Sequence, residues 1–173
     1  AHMYVLIPNL RLIAQSFNTS YTFAGMLIGV YMFMSGVSAL AWALYSDVKG
    51  MERKVLMASG MIGNGVLSIL SSQVLNKYLF GLLYVLAGMA ISVIGPFSTT
   101  IIIDTYRSEE RAEKLMMFRV LSGIGAALGF AVGIFVGSIS GNWRLPLLIL
   151  GLANILVGAP MAVLLYEPPR GLS

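Results

Sequence analysis

Long stretches without any charged residue are the feature that most restricts the fold of this chain. Only eleven basic and seven acidic residues occur among its 173 positions. Five uncharged runs separate them, at residues 12–46, 55–76, 78–103, 120–142 and 145–166. Each run exceeds the ~20 residues with which an α-helix crosses ~30 Å of hydrocarbon. Because a helix in lipid excludes charge from its outer face and a soluble helix does not, the sequence predicts an all-α membrane protein.

Composition excludes several other classes of protein. Hydrophobic residues make up 58% of the chain and charged residues 10%, against about a quarter charged in an average globular domain. A transmembrane barrel would show ~10-residue segments of alternating polarity, which these runs lack. With no cysteine and a single histidine, the chain offers no candidates for a metal site, a cofactor or a catalytic centre. The cations are dispersed between the runs, which favours membrane lipid over nucleic acid as a partner.

Turn-forming and charged residues divide the chain into six helical segments. The first, residues 2–14, is apolar but reaches only ~20 Å, too short to span the membrane. Either its first half is missing or it is a re-entrant stub, and the polar loop 15–20 favours the former. Longer helices are predicted at 21–46 (with Ser20 as N-cap), 55–75, 78–103, 115–139 and 145–166. Pro96 should kink the fourth segment, because it cannot bond the carbonyl of Ser92.

The cations are divided unequally between the two ends of the predicted helices. One end carries Lys49, Arg53, Lys54, Arg107, Arg111, Lys114, Arg119 and Arg170. The opposite end carries only Arg11, Lys77 and Arg144. Cytoplasmic loops of membrane proteins are enriched in Lys and Arg. We therefore expect loops 47–54 and 104–114 to be cytoplasmic, together with both termini once the first helix is completed.

Two aspartates near the cation-rich end predict a charge network. Asp47 and Asp104 close the second and fourth segments, at the negative pole of each helix, where a carboxylate is unfavourable by up to ~1 kcal/mol. Arg53 and Lys54 open the third segment, at its positive pole, with the same disadvantage. Interfacial charges are usually paired, so a latch between helices is favoured over a solvated loop. The predicted members are Asp47, Gly50, Arg53, Lys54, Asp104, Arg111 and Arg119.

The hairpin at 47–54 resembles the loop signature of the major facilitator superfamily, Gly-x-x-x-Asp-Arg-x-Gly-Arg-Arg. The matching residues are Asp47, Gly50, Arg53 and Lys54. Ala43 replaces the first glycine, Val48 replaces a basic residue, and one extra residue precedes Arg53.

Further landmarks of the same family follow in order along the chain. Glu110-Arg111 resembles its charged loop after helix four, and Trp143-Arg144 resembles the pair that opens helix six. The tail 167–171, Glu-Pro-Pro-Arg-Gly, is similar to the Spinster-like branch, whose members are associated with lysolipid or sphingolipid export. The resemblance implies that residues 1–173 form the single N-terminal six-helix bundle of a twelve-helix transporter, whose partner is a second six-helix bundle.

Helix five carries glycines at intervals of four residues: Gly125, Gly129, Gly133 and Gly137. Consecutive members lie ~40° apart around the helix, so they form a smooth groove that another helix can approach closely. Packing within the bundle is the simpler interpretation. The resemblance adds that this helix lies at the interface between the two halves of the transporter.

Helix four lacks ionisable residues on which coupling in this family often depends. Tyr84 stands where an arginine is frequent, four residues before Gly88, and Ile91 stands where Spinster-like proteins tend to carry a glutamate. The resemblance places helices one, two, four and five around a central cavity, with helices three and six against lipid. The candidate cavity residues are Tyr31, Ser35, Ser92, Thr99 and Ser122. Each Ser or Thr hydroxyl is also able to bond a carbonyl of its own helix.

The resemblance implies a secondary transporter that moves a small organic or lipid-like solute by alternating access. Substrate and coupling ion stay open. Two alternatives remain: a half-size protein that pairs with itself or another chain, and a non-transporting membrane subunit that keeps the fold as a scaffold. The missing charges on helix four favour the second alternative. No enzyme activity is expected.

Overall fold

The computed structural model describes residues 2–165 and 167, and every regular element in that part of the chain is helical. The first segment consists of α1 (His2–Leu6), a 3-10 turn (Ile7–Asn9) and α2 (Leu10–Ser16). The remaining helices are α3 (Tyr21–Lys49), α4 (Arg53–Gln73), α5 (Lys77–Ile91), α6 (Ile94–Thr105), α7 (Ser108–Ser140) and α8 (Arg144–Leu164). The predicted end of the last helix at Tyr166, the tail residues 168–171 and the cation Arg170 lie outside the described residues.

Five spans are long and apolar enough to cross a membrane: α3, α4, α5 with α6, α7, and α8. The first segment adds a sixth, shorter helical piece. The predicted all-α, multi-pass membrane fold is confirmed.

Local sequence explains most of the helix ends. The Ser20 hydroxyl accepts a hydrogen bond from the N–H of Phe23 at 3.2 Å, as expected for an N-cap. Gly50 and Gly141 close α3 and α7 in the left-handed conformation, with φ of 63° and 61°, which glycine adopts without strain.

The predicted loop at 104–114 is wrong. Asp104 belongs to the last turn of α6, and α7 begins as early as Ser108. Glu109 and Glu110 lie in the first turn of α7, where carboxylates favour the positive pole of the helix. A 33-residue helix is ~50 Å long, so its charged first turns extend beyond ~30 Å of hydrocarbon.

Two segments are interrupted beside a proline. The fourth segment breaks at residues 92–93, just before Gly95-Pro96, where the sequence predicted a kink. The first segment changes to a 3-10 turn at Pro8. Proline lacks the N–H that would continue the α-helical pattern, which accounts for both positions.

The bundle is built from two units of three segments each. The first unit is the first segment, α3 and α4, and the second is α5 with α6, α7 and α8. Between the units, α1 packs on α7, α3 on α5, and α4 on α8. These contacts are equivalent when the units are exchanged. Because three spans reverse the direction of the chain, the pattern is that of an inverted repeat.

Glycines let α4 approach its neighbours closely. In the most apolar 18-residue window of each helix, 50% of the window is buried within the bundle for α4, against 11% for α3 and 17% for α7. A Cβ on Gly65 would meet the carbonyl of Gly151 on α8, and a Cβ on Gly60 would meet the carbonyl of Ala90 on α5. Small residues at such contacts allow the backbone-to-backbone packing that holds membrane helices together.

Candidate functional site

A buried ion pair joins α4 to α6 at the end of the bundle that carries residues 47–54, called here the hairpin end. The Nη1 of Arg53 lies 2.5 Å from the Oδ2 of Asp104, and each side chain is only 7% exposed. Breaking such a pair leaves an uncompensated buried charge, so the two residues depend on each other. Of the predicted network members, Arg53 and Asp104 form an ion pair with each other.

A carboxylate that the sequence prediction did not include completes this arrangement. The Glu167 carboxylate accepts hydrogen bonds from the backbone N–H groups of Arg53 at 2.8 Å and Lys54 at 3.2 Å. It therefore satisfies two of the N–H groups that have no partner within the helix at the start of α4. Its negative charge is also stabilised by the positive pole of that helix. The available signal was a lone carboxylate after the last span, at the end of the bundle where α4 begins.

The other predicted network residues have local roles or lie apart from this pair. Lys54 pairs with Glu52 at 3.3 Å, and Arg111 donates from Nε to the carbonyl of Tyr106 at 3.0 Å. Gly50 terminates α3, and Asp47 is exposed in the last turn of that helix. Arg119 is exposed on α7. The single latch predicted from the sequence is thus resolved into one buried pair with shorter-range contacts around it.

The glycine row predicted on helix five lies on α7, and its C-terminal members pack against the first segment of the bundle. A Cβ on Gly133 would meet the carbonyl of Val5, and a Cβ on Gly137 would overlap the Asn9 side chain. The Asn9 amide donates to the carbonyls of Val5 and Gly133, each at 2.9 Å. Gly129 is buried as well, whereas a Cβ on Gly125 would meet nothing within 4 Å.

The candidate cavity residues do not share one open face. Tyr31 is 6% exposed and stacks on Tyr84 with ring centroids 4.7 Å apart, so it belongs to the core instead of a cavity wall. Gly88 makes room for it, because a Cβ there would meet the Tyr31 ring and the Ser35 hydroxyl. The hydroxyls of the other three donate to carbonyls of their own segment: Ser92 to Met89, Thr99 to Gly95 and Ser122 to Phe118.

Trp143 and Arg144 tie the opposite end of the bundle together. The Trp143 indole, 2% exposed, donates to the Ser16 hydroxyl at 2.8 Å. Arg144 donates to the carbonyls of Ser72 and Val74, both at 2.7 Å. Both carbonyls lie at the C-terminal end of α4, where backbone carbonyls have no hydrogen-bond partner within the helix.

A polar connection inside the span region joins three helices. Asn154 of α8 donates to Asn64 of α4 at 2.7 Å, and Asn64 donates to the carbonyl of Ala87 on α5 at 2.8 Å. Asn64 is completely buried. Interhelical hydrogen bonds of this kind hold membrane helices in register.

Within residues 2–165 and 167, no group of three or more His, Cys, Asp or Glu side chains is placed to hold a metal ion.

Comparison with known proteins identifies the family. The chain is 30% identical over 175 residues to protein spinster homolog 1 of Xenopus laevis, covering 96% of this chain and 31% of that protein. It is 26% identical over 161 residues to the sphingosine-1-phosphate transporter SPNS2 of Danio rerio, covering 92% of this chain and 32% of that protein. The expected likeness to Spinster proteins is confirmed, and the chain spans about a third of the length of the relatives it matches.

The sequence profile of the Major Facilitator Superfamily matches residues 1–173, the whole chain. Five helical spans that are long and apolar enough to cross a membrane agree with that assignment. The chain belongs to the Major Facilitator Superfamily.

Proposed function

We propose that this chain is the N-terminal six-helix bundle of a twelve-helix secondary transporter, which moves an amphiphilic, lipid-like solute by alternating access. The observation that carries the proposal is the match of the entire chain to the family, together with its coverage of about a third of each relative. In alternating access, one bundle rocks against another around a site between them. The account therefore requires a second bundle.

The exposed face of α3 supports this requirement. Gly25, Gly29 and Gly36 lie within ~40° of one another around the helix, and a Cβ on any of them would meet nothing within 4 Å. Glycines that pack against nothing within the bundle fit the close approach of a further helix. The second bundle is the proposed source of that helix.

Bonds at the hairpin end hold several helices together, as motion of the bundle as a rigid body requires. Through Arg53, the helix α4 is bonded to Asp104 on α6 and to Glu167 beyond α8. These bonds join the third segment of the first unit to the first segment of the second unit and to the chain that follows its third segment, so that the bundle moves as a body. The glycine contacts between α4 and α8 serve the same purpose farther along the helices.

The two interrupted segments favour a substrate site near the first and fourth segments. These segments open the two units, and each of them is interrupted, the first at Pro8 and the fourth at residues 92–93. Paired interruptions of this kind point to binding sites in transporters built from inverted repeats. An amphiphilic phosphate is the proposed class of substrate, because one relative is named a sphingosine-1-phosphate transporter.

A chimera tests the proposed function. The bundle replaces the corresponding part of SPNS2 from Danio rerio, and export of labelled sphingosine-1-phosphate from cells is measured against the parent protein. We expect export by the chimera and a loss of export with Gly29→Leu, which blocks the proposed helix contact. Ala153→Leu, on the exposed face of α8, is the matched control and should retain export. Full export by the Gly29→Leu chimera contradicts the proposed interface.

Orientation is a separate part of the proposal: the hairpin end faces the cytoplasm because it carries most of the cations. The chain has no native cysteine. Met51→Cys should therefore resist an impermeant thiol reagent added to whole cells, whereas Asn142→Cys should react. Labelling of position 51 from outside reverses the proposed topology.

One observation favours a second candidate, a non-transporting subunit that keeps the fold. Tyr84, at the position where an arginine is frequent in the family, is fully buried and stacked between Tyr31 and Phe80. A core tyrosine stays protonated and uncharged at neutral pH, so it neither takes up nor releases a coupling proton. A chimera that folds and reaches the membrane but exports nothing, in the presence of an active parent, supports the subunit over the transporter.

A further inference from the structure

An apolar groove runs along the outside of the bundle between α3, α4 and α5. Its volume is about 670 Å³, within the range of ligand-binding pockets. One wall is formed by Ser38, Ala41, Trp42 and Tyr45 of α3, and the other by Leu67, Leu86, Met89 and Ala90. None of these eight side chains is charged.

The break in the fourth segment provides a hydrogen-bond acceptor for two polar groups that line this groove, those of Ser38 and Trp42. Met89 lies in the last turn of α5, where carbonyls lack helical partners. The Ser38 hydroxyl and the Trp42 indole N–H both donate to the Met89 carbonyl, at 3.2 and 3.3 Å. Their hydrogen-bonding groups are thereby satisfied, and the ring of Trp42 presents an apolar surface to the groove.

The α3 wall leads to a cation at the membrane surface. Ser38, Trp42, Tyr45 and Lys49 follow one another at steps of four, three and four residues, so they lie on one face of the helix. From Ser38 to Lys49 the helix rises ~16 Å, which is about half of the ~30 Å hydrocarbon thickness. The lining residues of the groove cover ~10 Å of α3, and Lys49 lies about one turn beyond Tyr45 on the same face of the helix.

Nearby carboxylates do not cancel this cation. Asp47 is two residues from Lys49, which places it on the far side of α3. Glu52, in the following hairpin, is paired with Lys54 at 3.3 Å. A Trp and a Tyr below a Lys at the membrane surface form a combination that anchors lipid headgroups and chains.

We propose that this groove binds an acyl chain of an anionic phospholipid, with the phosphate of that lipid held by Lys49. The inference rests on the membrane-spanning fold and on neither the substrate nor the direction of transport. A phospholipid is favoured over a second copy of the chain or a helix of a second bundle, because the uncharged groove is followed, on the same face of α3, by a basic residue at the end of the helix.

Fluorescence quenching by brominated lipids tests the proposal directly. The chain has two tryptophans, and Trp143→Phe leaves Trp42 as the only reporter. The purified chain is reconstituted with brominated phosphatidylglycerol or with brominated phosphatidylcholine of the same acyl chains. We expect phosphatidylglycerol to associate with the Trp42 site about fivefold more strongly, the factor that one basic residue supplies near an anionic lipid.

Two variants, each with a matched control, separate the groove from general contact with lipid. Lys49→Gln should abolish the preference for phosphatidylglycerol, whereas Lys114→Gln, a cation at the same end of the bundle, should retain it. Ala41→Phe should fill the groove and weaken quenching by both lipids, with Ala153→Phe on α8 as its control. Equal quenching by the two lipids, or a preference that survives Lys49→Gln, overturns the proposal.

A second measurement covers the case in which Trp143→Phe fails to fold. Native mass spectrometry of the unsubstituted chain counts the phosphatidylglycerol molecules that remain bound, and Lys49→Gln should remove one of them. If the number of bound phosphatidylglycerol molecules is unchanged in that variant, the groove is not a phospholipid site. The same conclusion follows if neither brominated lipid quenches Trp42, because another protein segment then covers the groove.

Discussion

Removing the carboxylate of Asp104 should destabilise the bundle strongly, because it leaves the charge of Arg53 buried. The two side chains are 2.5 Å apart and each is 7% exposed, so water replaces little of the lost interaction. Breaking a buried ion pair on one side costs about 3–5 kcal/mol. For a chain of this size, each kcal/mol corresponds to about 2–4 °C in the midpoint of thermal unfolding. Asp104→Asn should therefore lower that midpoint by at least about 6 °C.

A double-mutant cycle isolates the pair from other effects of the substitution. Thermal unfolding of the purified chain is measured for Asp104→Asn, Arg53→Gln and both together. Because the pair is lost only once, the double variant should be less destabilised than the sum of the single variants. Glu113→Gln removes the partner of Lys114 in an exposed pair, where the carboxylate is 62% exposed, and should have no measurable effect. The reasoning is refuted if the losses of stability in the two single variants add up to the loss in the double variant. It is also refuted if Asp104→Asn and Glu113→Gln have the same unfolding midpoint.

Three further substitutions test other contacts by the same unfolding assay. Gly137→Ala should cost about 1–3 kcal/mol, because its Cβ would overlap the Asn9 side chain, whereas Gly125→Ala should be tolerated; equal effects contradict the packing described. Asn64→Leu should cost about 1 kcal/mol, and adding Asn154→Leu should then cost little more, since the shared bond is already lost; independent effects would show that the bond is not coupled. Arg144→Gln should cost about 1.5–3 kcal/mol, with a smaller loss for Arg144→Lys; an unchanged midpoint would show that the two carbonyls are satisfied without the guanidinium.

The helices were predictable because charge exclusion and helix capping are local properties of the sequence. The uncharged runs locate the spans, Ser20 begins α3 and Gly50 ends it. The early start of α7 at Ser108 was not predicted, because charged residues were read as a loop although they favour the first turns of a helix outside the membrane.

Contacts between distant segments were less accessible to sequence reasoning. The misplaced charges of Asp104 and Arg53 gave a usable signal, because a buried charge requires a partner. For Glu167 the signal was limited to its place after the last span, because its bond to the start of α4 depends on how α8 packs. The burial of Tyr31 was not predictable, because it depends on the absence of a side chain at Gly88, on another helix.

Flux through reconstituted vesicles tests the central claim, that this bundle acts as one half of a transporter. The purified chain is placed in vesicles alone, and in a second preparation it is fused to the remaining part of SPNS2 from Danio rerio. Uptake of labelled sphingosine-1-phosphate is then followed in both, with the oligomeric state of the chain determined in the same vesicles. The account predicts no uptake by the monomeric chain and uptake by the fusion protein. Uptake by a demonstrated monomer of this chain contradicts it.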